Sequence, residues 1–111
     1  MKTDSRIIIS NDKQFYSDSE EIKIHVWFNK QFYSNAILTV LTPTGKKVDS
    51  AVLMTDSDTT ETFAMTCGGP AMIENGYYTI RVECDGAVSE SMFEYYNSHK
   101  HPYMDWRNFM K

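Results

Sequence analysis

At 111 residues with 41% hydrophobic side chains, the chain has material for one core and one domain, and it is too apolar to be disordered throughout. A formal net charge of −4 excludes a broad basic surface of the kind that neutralises nucleic-acid phosphates. No apolar run reaches the roughly 18 residues of a membrane-spanning helix, and three isoleucines after Arg6 fall short of a secretory apolar segment.

Residues 6–10 are a β-branched run that predicts a first strand, broken by Asn11-Asp12-Lys13. Residues 14–20 read as a polar turn entered by the aromatic pair Phe15 and Tyr16. Residues 21–28 alternate, with Ile22, Ile24, Val26 and Phe28 on an inward face and Lys23, His25 and Trp27 on an outward one. An outward Trp27 is either a local packing cover or part of a binding surface.

After polar residues 29–35, the nearly continuous apolar run 36–41 predicts a strand covered on both faces or at least central in its sheet. Thr42-Pro43-Thr44-Gly45 turns the chain, Pro fixing φ and Gly accepting positive φ. Residues 46–54 follow as a strand of ambiguous parity, as an edge position permits: either Val48, Val52 and Met54 or Ala51 and Leu53 point inward. Beyond the polar turn Thr55-Asp56-Ser57-Asp58, a strand over 60–67 places Phe63, Met65 and Cys67 on one face.

A glycine-bearing loop, residues 68–74, then leads to the clearest period-two stretch. In residues 75–84, Tyr78, Ile80, Val82 and Cys84 share one face while Tyr77, Thr79, Arg81 and Glu83 share the other. A Tyr near the start of such a late strand is where sandwiches place a phenol that bonds back to a loop. Asp85-Gly86 is a tight-turn signal, and residues 87–96 return with Ala87, Ser89, Ser91, Phe93 and Tyr95 opposite Val88, Glu90, Met92 and Glu94. These strands, with no helical pattern before Asn97, predict an all-β fold. The expected form is a seven-stranded antiparallel immunoglobulin-like sandwich over residues 6–96, followed by an aromatic and basic appendage, residues 97–111.

Three pieces carry a family resemblance. They are the run Ile7-Ile8-Ile9-Ser10-Asn11-Asp12-Lys13-Gln14-Phe15-Tyr16, the turn Thr42-Pro43-Thr44-Gly45 and the strand entry Asn75-Gly76-Tyr77-Tyr78. In order and spacing they resemble the macroglobulin MG2-type domain, with its strand, Thr-Asp-Lys and Tyr entry, its Asp-Pro-x-Gly turn and its Gly-x-Tyr strand. Ser17-Asp18-Ser19-Glu20 stands where that family has Pro-Gly, and no Cys-Gly-Glu-Gln thioester sequence is present. The resemblance implies a structural or adhesive module, usually one bead in an extracellular chain, with no catalytic residue to carry over. Taken with Met1 as a native start, the chain is instead expected in the cytoplasm; trimmed from a longer precursor, it is expected outside the cell.

The reactive residue types point to no catalytic chemistry. Cys67 and Cys84 read as free core thiols, since antiparallel strands would put them at opposite ends, beyond bridging distance; one disulfide is the other reading. A thiolate nucleophile needs a base such as His25, His99 or His101 beside it, and no spacing places one there. Glu90 with Glu94, and Asp56 with Asp58, read as solvated surface. Asp56-Ser57-Asp58 lacks the Gly and distal Glu of a calcium loop, His99-Lys100-His101 offers only two imidazoles, and Gly68-Gly69-Pro70 lacks the Lys and helix of a phosphate loop. The expectation is no catalytic residue, no cofactor and no metal.

From Asn97 onward three cations face one anion, a net of +2 beside −6 for the preceding residues. After Pro102, the residues Tyr103, Trp106 and Met110, with Phe109 beside them, recur at a spacing that would line one face of a short helix. The function read from these features is a non-enzymatic structural or protein–protein interaction module. It would bind a protein partner, or a second copy, through Tyr103, Trp106, Phe109 and Met110, with Trp27 as a further contact, and neither nucleic acid nor a membrane span is expected. The alternative is a carbohydrate-binding module or enzyme accessory domain that presents Trp27, Phe32 and Tyr33 in a groove.

Overall fold

Alternating apolar residues form eight strands in the computed structural model, which describes residues 2–97. In chain order they are β1 (Ile7–Asn11), β2 (Phe15–Ser17), β3 (Glu21–Phe28), β4 (Ala36–Leu41), β5 (Lys47–Leu53), β6 (Thr59–Thr66), β7 (Gly76–Cys84) and β8 (Ala87–Tyr96). The fold is all-β, and no helix occurs among the described residues. One sheet has three strands in the order β1-β3-β6, and the other has five in the order β2-β8-β7-β4-β5. The appendage expected over residues 97–111 lies outside the described residues beyond Asn97.

The seven-stranded, wholly antiparallel expectation is corrected on two counts. The segment read as a polar turn contains β2, and β2 pairs with β8 in parallel, Phe15 opposite Glu94 and Ser17 opposite Tyr96, so the five-stranded sheet is mixed. The cause is Tyr16. Its side chain is fully buried against Phe93, edge to face at 5.6 Å, and its phenol accepts the Lys13 N–H at 2.9 Å. Burying such a ring contributes about 1.5–3 kcal/mol, enough to carry the chain across from the first sheet to the second without reversing its direction. The turn that follows is closed by the Glu20 N–H donating to the Ser17 carbonyl at 3.2 Å, with Ser19 at a φ of 73°, the left-handed position that Gly ordinarily fills.

The core fills the space between the two sheets. Ile22, Ile24, Val26 and Phe28 of β3 face Leu38 and Val40 of β4 and Tyr78, Ile80 and Val82 of β7, all fully buried. β4 is central, between β7 and β5, but its outer face is open and Ile37 is half exposed. The ambiguous parity of β5 has a physical origin: Val40 pairs with Asp49 and Leu41 with Lys47, so a bulge at Val48 lets both Val48 and Ala51 pack against the core. Val52 and Met54 point to solvent.

Two polar contacts tie the ends of the sandwich. The Tyr78 hydroxyl donates to the Glu74 carbonyl at 2.6 Å, the phenol-to-loop bond expected at the start of β7. At the other end the buried Ser89 hydroxyl accepts from the Asp4 N–H and donates to the Ile7 carbonyl, both at 2.8 Å, which holds the start of β1 against β8. Asp85 and Gly86 both take positive φ, 49° and 81°, in the two-residue connection between β7 and β8.

Candidate functional site

The side chains that point away from the core on β2, β8 and β7 meet in one row. Registers place Phe15 beside Glu94 and Glu94 beside Tyr77, and Met92 follows one step along β8, opposite Thr79. Phe15 is 48% exposed, Tyr77 58% and Met92 37%, so three large apolar groups share a solvent-facing surface around one carboxylate. An open cleft of about 360 Å³ runs between them, lined also by Gln14 and Phe93. Among the described residues, Glu94 makes no ion pair.

This surface rests on a stiff foundation. Directly beneath it Phe93 stacks on Tyr78 at 5.5 Å and meets Tyr16 edge to face, and Tyr78 in turn meets Tyr95 at 5.6 Å. Close-packed rings leave the outer row little freedom to sink inward. The ring of Tyr96 lies 6.1 Å from that of Phe15, and the next residue, Asn97, donates its N–H to the Asn75 side-chain oxygen at 2.6 Å. The chain therefore leaves the sandwich from a pinned point at the margin of the aromatic row.

The residues singled out from the sequence are scattered. Trp27 lies on the outer face of the three-stranded sheet, between Ile8 of β1 and Thr60 of β6, and its indole N–H donates to the Asp58 carboxylate at 3.1 Å. It is 37% exposed and tied to the β5–β6 connection. Tyr103, Trp106, Phe109 and Met110 lie outside the described residues, as do His99 and His101. Phe32 and Tyr33 line one open pocket with Gln31, and Trp27 is not among its lining residues; Phe32 is buried beside Phe28 with the Arg6 guanidinium 5.2 Å above its ring, and Tyr33 stands fully in solvent.

The thiols occupy opposite ends of the sandwich. The carbonyl of Cys67 accepts the Ser19 N–H near the Tyr95 end, whereas the Cys84 backbone pairs with Ala87. Eight residues along β8 separate Ala87 from Tyr95, roughly 26 Å at the rise of a strand. That is far outside the span of a disulfide. Burial pushes the Cys67 thiol up to about 11 and raises that of Cys84, so both stay protonated at neutral pH. His25 lies on the outer face, its ring nitrogens 3.0 Å from the Thr62 hydroxyl and 3.4 Å from Asp12, away from either buried sulfur. No cluster of three or more His, Cys, Asp or Glu side chains suited to a metal occurs among the described residues.

Alternation alone turns Tyr77 and Met92 outward, yet the row is not apparent in sequence because Phe15 joins it only through the parallel pairing of β2. The usable signal is large apolar residues on the outward parity of neighbouring strands. No family model matches the chain, and no curated protein matches it. Among solved structures, the sulfur carrier protein SoxY from Chlorobium limicola f thiosulfatophilum is similar at 12% identity and a TM-score of 0.48, over 86% of this chain and 82% of that one.

Proposed function

We propose that the chain is a non-enzymatic, immunoglobulin-like module that makes protein contacts through two apolar elements, the Phe15–Glu94–Tyr77 row and the aromatic residues of the C-terminal tail. The observation that carries this reading is the exposed row itself. Large rings grouped on a rigid sheet face, around a carboxylate and with an open cleft between them, are the composition of an interaction surface. The tail supplies a second group of large apolar residues, Tyr103, Trp106, Phe109 and Met110, of which Trp106 is the strongest candidate anchor because a buried indole dominates binding energy.

The immunoglobulin-like reading is supported by the hydrogen bond from Tyr78 to the loop before β7. The MG2-type reading rests on the sequence motifs, which fall on the β1–β2 entry, the β4–β5 turn and the start of β7.

The test compares three proteins: the full chain, a chain ending at Pro102, and the double variant Phe15→Ser with Tyr77→Ser. Light scattering up to millimolar protein measures self-association, and capture on the immobilised protein measures partner binding, with circular dichroism as the check on folding. Both altered proteins should stay folded and lose association or capture. Unchanged behaviour of both would overturn the reading.

A further inference from the structure

We propose that the aromatic row is the docking site of the chain's own tail, residues 98–111, with Arg107 opposite Glu94 between the rings of Phe15 and Tyr77. The inference rests on the reading of the tail as an interaction element and goes beyond it by naming the surface that the tail binds. Three independent features carry it.

The first is reach. The tail begins one residue after Asn97, which is pinned at the margin of the row. The row spans two strand spacings from β2 to β7, about 10 Å, and the step from Tyr96 back to Met92 adds about 13 Å along β8. Six residues from Asn97 to Tyr103 extend to about 20 Å, so every aromatic residue of the tail can return over this face and the intervening Pro102 suits a reversal.

The second is chemical fit. A carboxylate flanked by two aromatic side chains suits a cation with a flat, weakly hydrated head, because the same group meets an opposite charge and ring surface on either side. Arg107 has that head and stands between Trp106 and Phe109, whose rings complement the half-exposed Phe15, Tyr77 and Met92. Net +2 on the tail against −6 on the remainder adds attraction.

The third is tethering. A short tether holds a ligand at an effective concentration of about a millimolar, so at micromolar protein the chain's own face outcompetes that of a second copy. At higher concentration, exchange of the same contact between two copies produces self-association.

The experiment reads Trp106 directly. Trp27→Phe leaves Trp106 as the single indole, and its acrylamide quenching at micromolar protein is compared with that of a free peptide of residues 98–111. Docking predicts quenching several-fold weaker than in the peptide, a blue-shifted emission and no change on dilution. Glu94→Lys, and separately Tyr77→Ser, should restore the peptide's value while circular dichroism stays native. Peptide-like quenching in the parent protein overturns the proposal. So does shielding that vanishes on dilution together with a dimer mass, which assigns the row to a second copy, and so does shielding indifferent to Glu94→Lys, which puts the tail elsewhere. If Trp106 is unshielded while the row variant still loses association, cis docking fails and the interaction reading stands.

Discussion

Tyr77 and Tyr78 are chemically identical neighbours that have opposite tasks, because a strand sends successive side chains to opposite faces. Tyr78 is fully buried, stacked on Phe93 and bonded to the Glu74 carbonyl, and burial pushes its phenol up to about 12; Tyr77 is 58% exposed. Tyr78→Ala is therefore expected to cost about 3–5 kcal/mol, by leaving a cavity beneath the row and an unpaired carbonyl, and Tyr77→Ala less than about 1 kcal/mol. Urea midpoints decide it, and equal shifts would mean that the register of β7 is one residue out. The same alternation explains why most of the core was legible in the sequence residue by residue, from Ile22 to Phe28 and from Tyr78 to Cys84. Trp27 was legible as outward. Its bond to Asp58 was not, because that carboxylate arrives from a distant turn.

At the scale of elements, β2 decides how the two sheets meet, and it was the strand hidden from the sequence. Three residues are too few to show a period, and Ser17-Asp18-Ser19-Glu20 reads as a turn because it contains one. The candidate site was hidden for the same reason, since Phe15 reaches Glu94 only through this pairing. The turn after β2 is held by Glu20, which accepts from the Ser17 N–H and hydroxyl, each at 2.8 Å, and pairs with Lys13. The Lys13 ammonium and then the Ser17 donors hold the Glu20 carboxyl down at about 2, and Arg6 likewise holds that of Asp4 at about 2. A carboxylate with a depressed folded-state value favours the native state fully above its unfolded value, near 4.5, and loses that contribution as the pH falls toward 2. Melting temperatures should thus decline between pH 4.5 and 2, and Glu20→Gln should remove part of that slope while lowering stability at pH 7. A slope unaltered by Glu20→Gln would show that the turn does not depend on this ionised group.

For the whole molecule, the path between sheets has a mechanical consequence. The first described residue, Lys2, lies against Glu90 near the beginning of β8, while the chain departs at Asn97 beyond its other end. Because β2 and β8 run parallel, tension applied through residues 2 and 97 slides these strands past each other along their length. The load then falls on all the β2–β8 hydrogen bonds together. Tension applied through Gly76 and Asn97, at adjoining ends of the β7–β8 hairpin, instead peels the ladder open one pair at a time. Single-molecule pulling is expected to give a markedly higher unfolding force in the first geometry than in the second, and similar forces would show that β2 bears little load. A three-residue strand added in parallel at one edge makes the domain resist stretching along its chain axis while it stays soft to peeling.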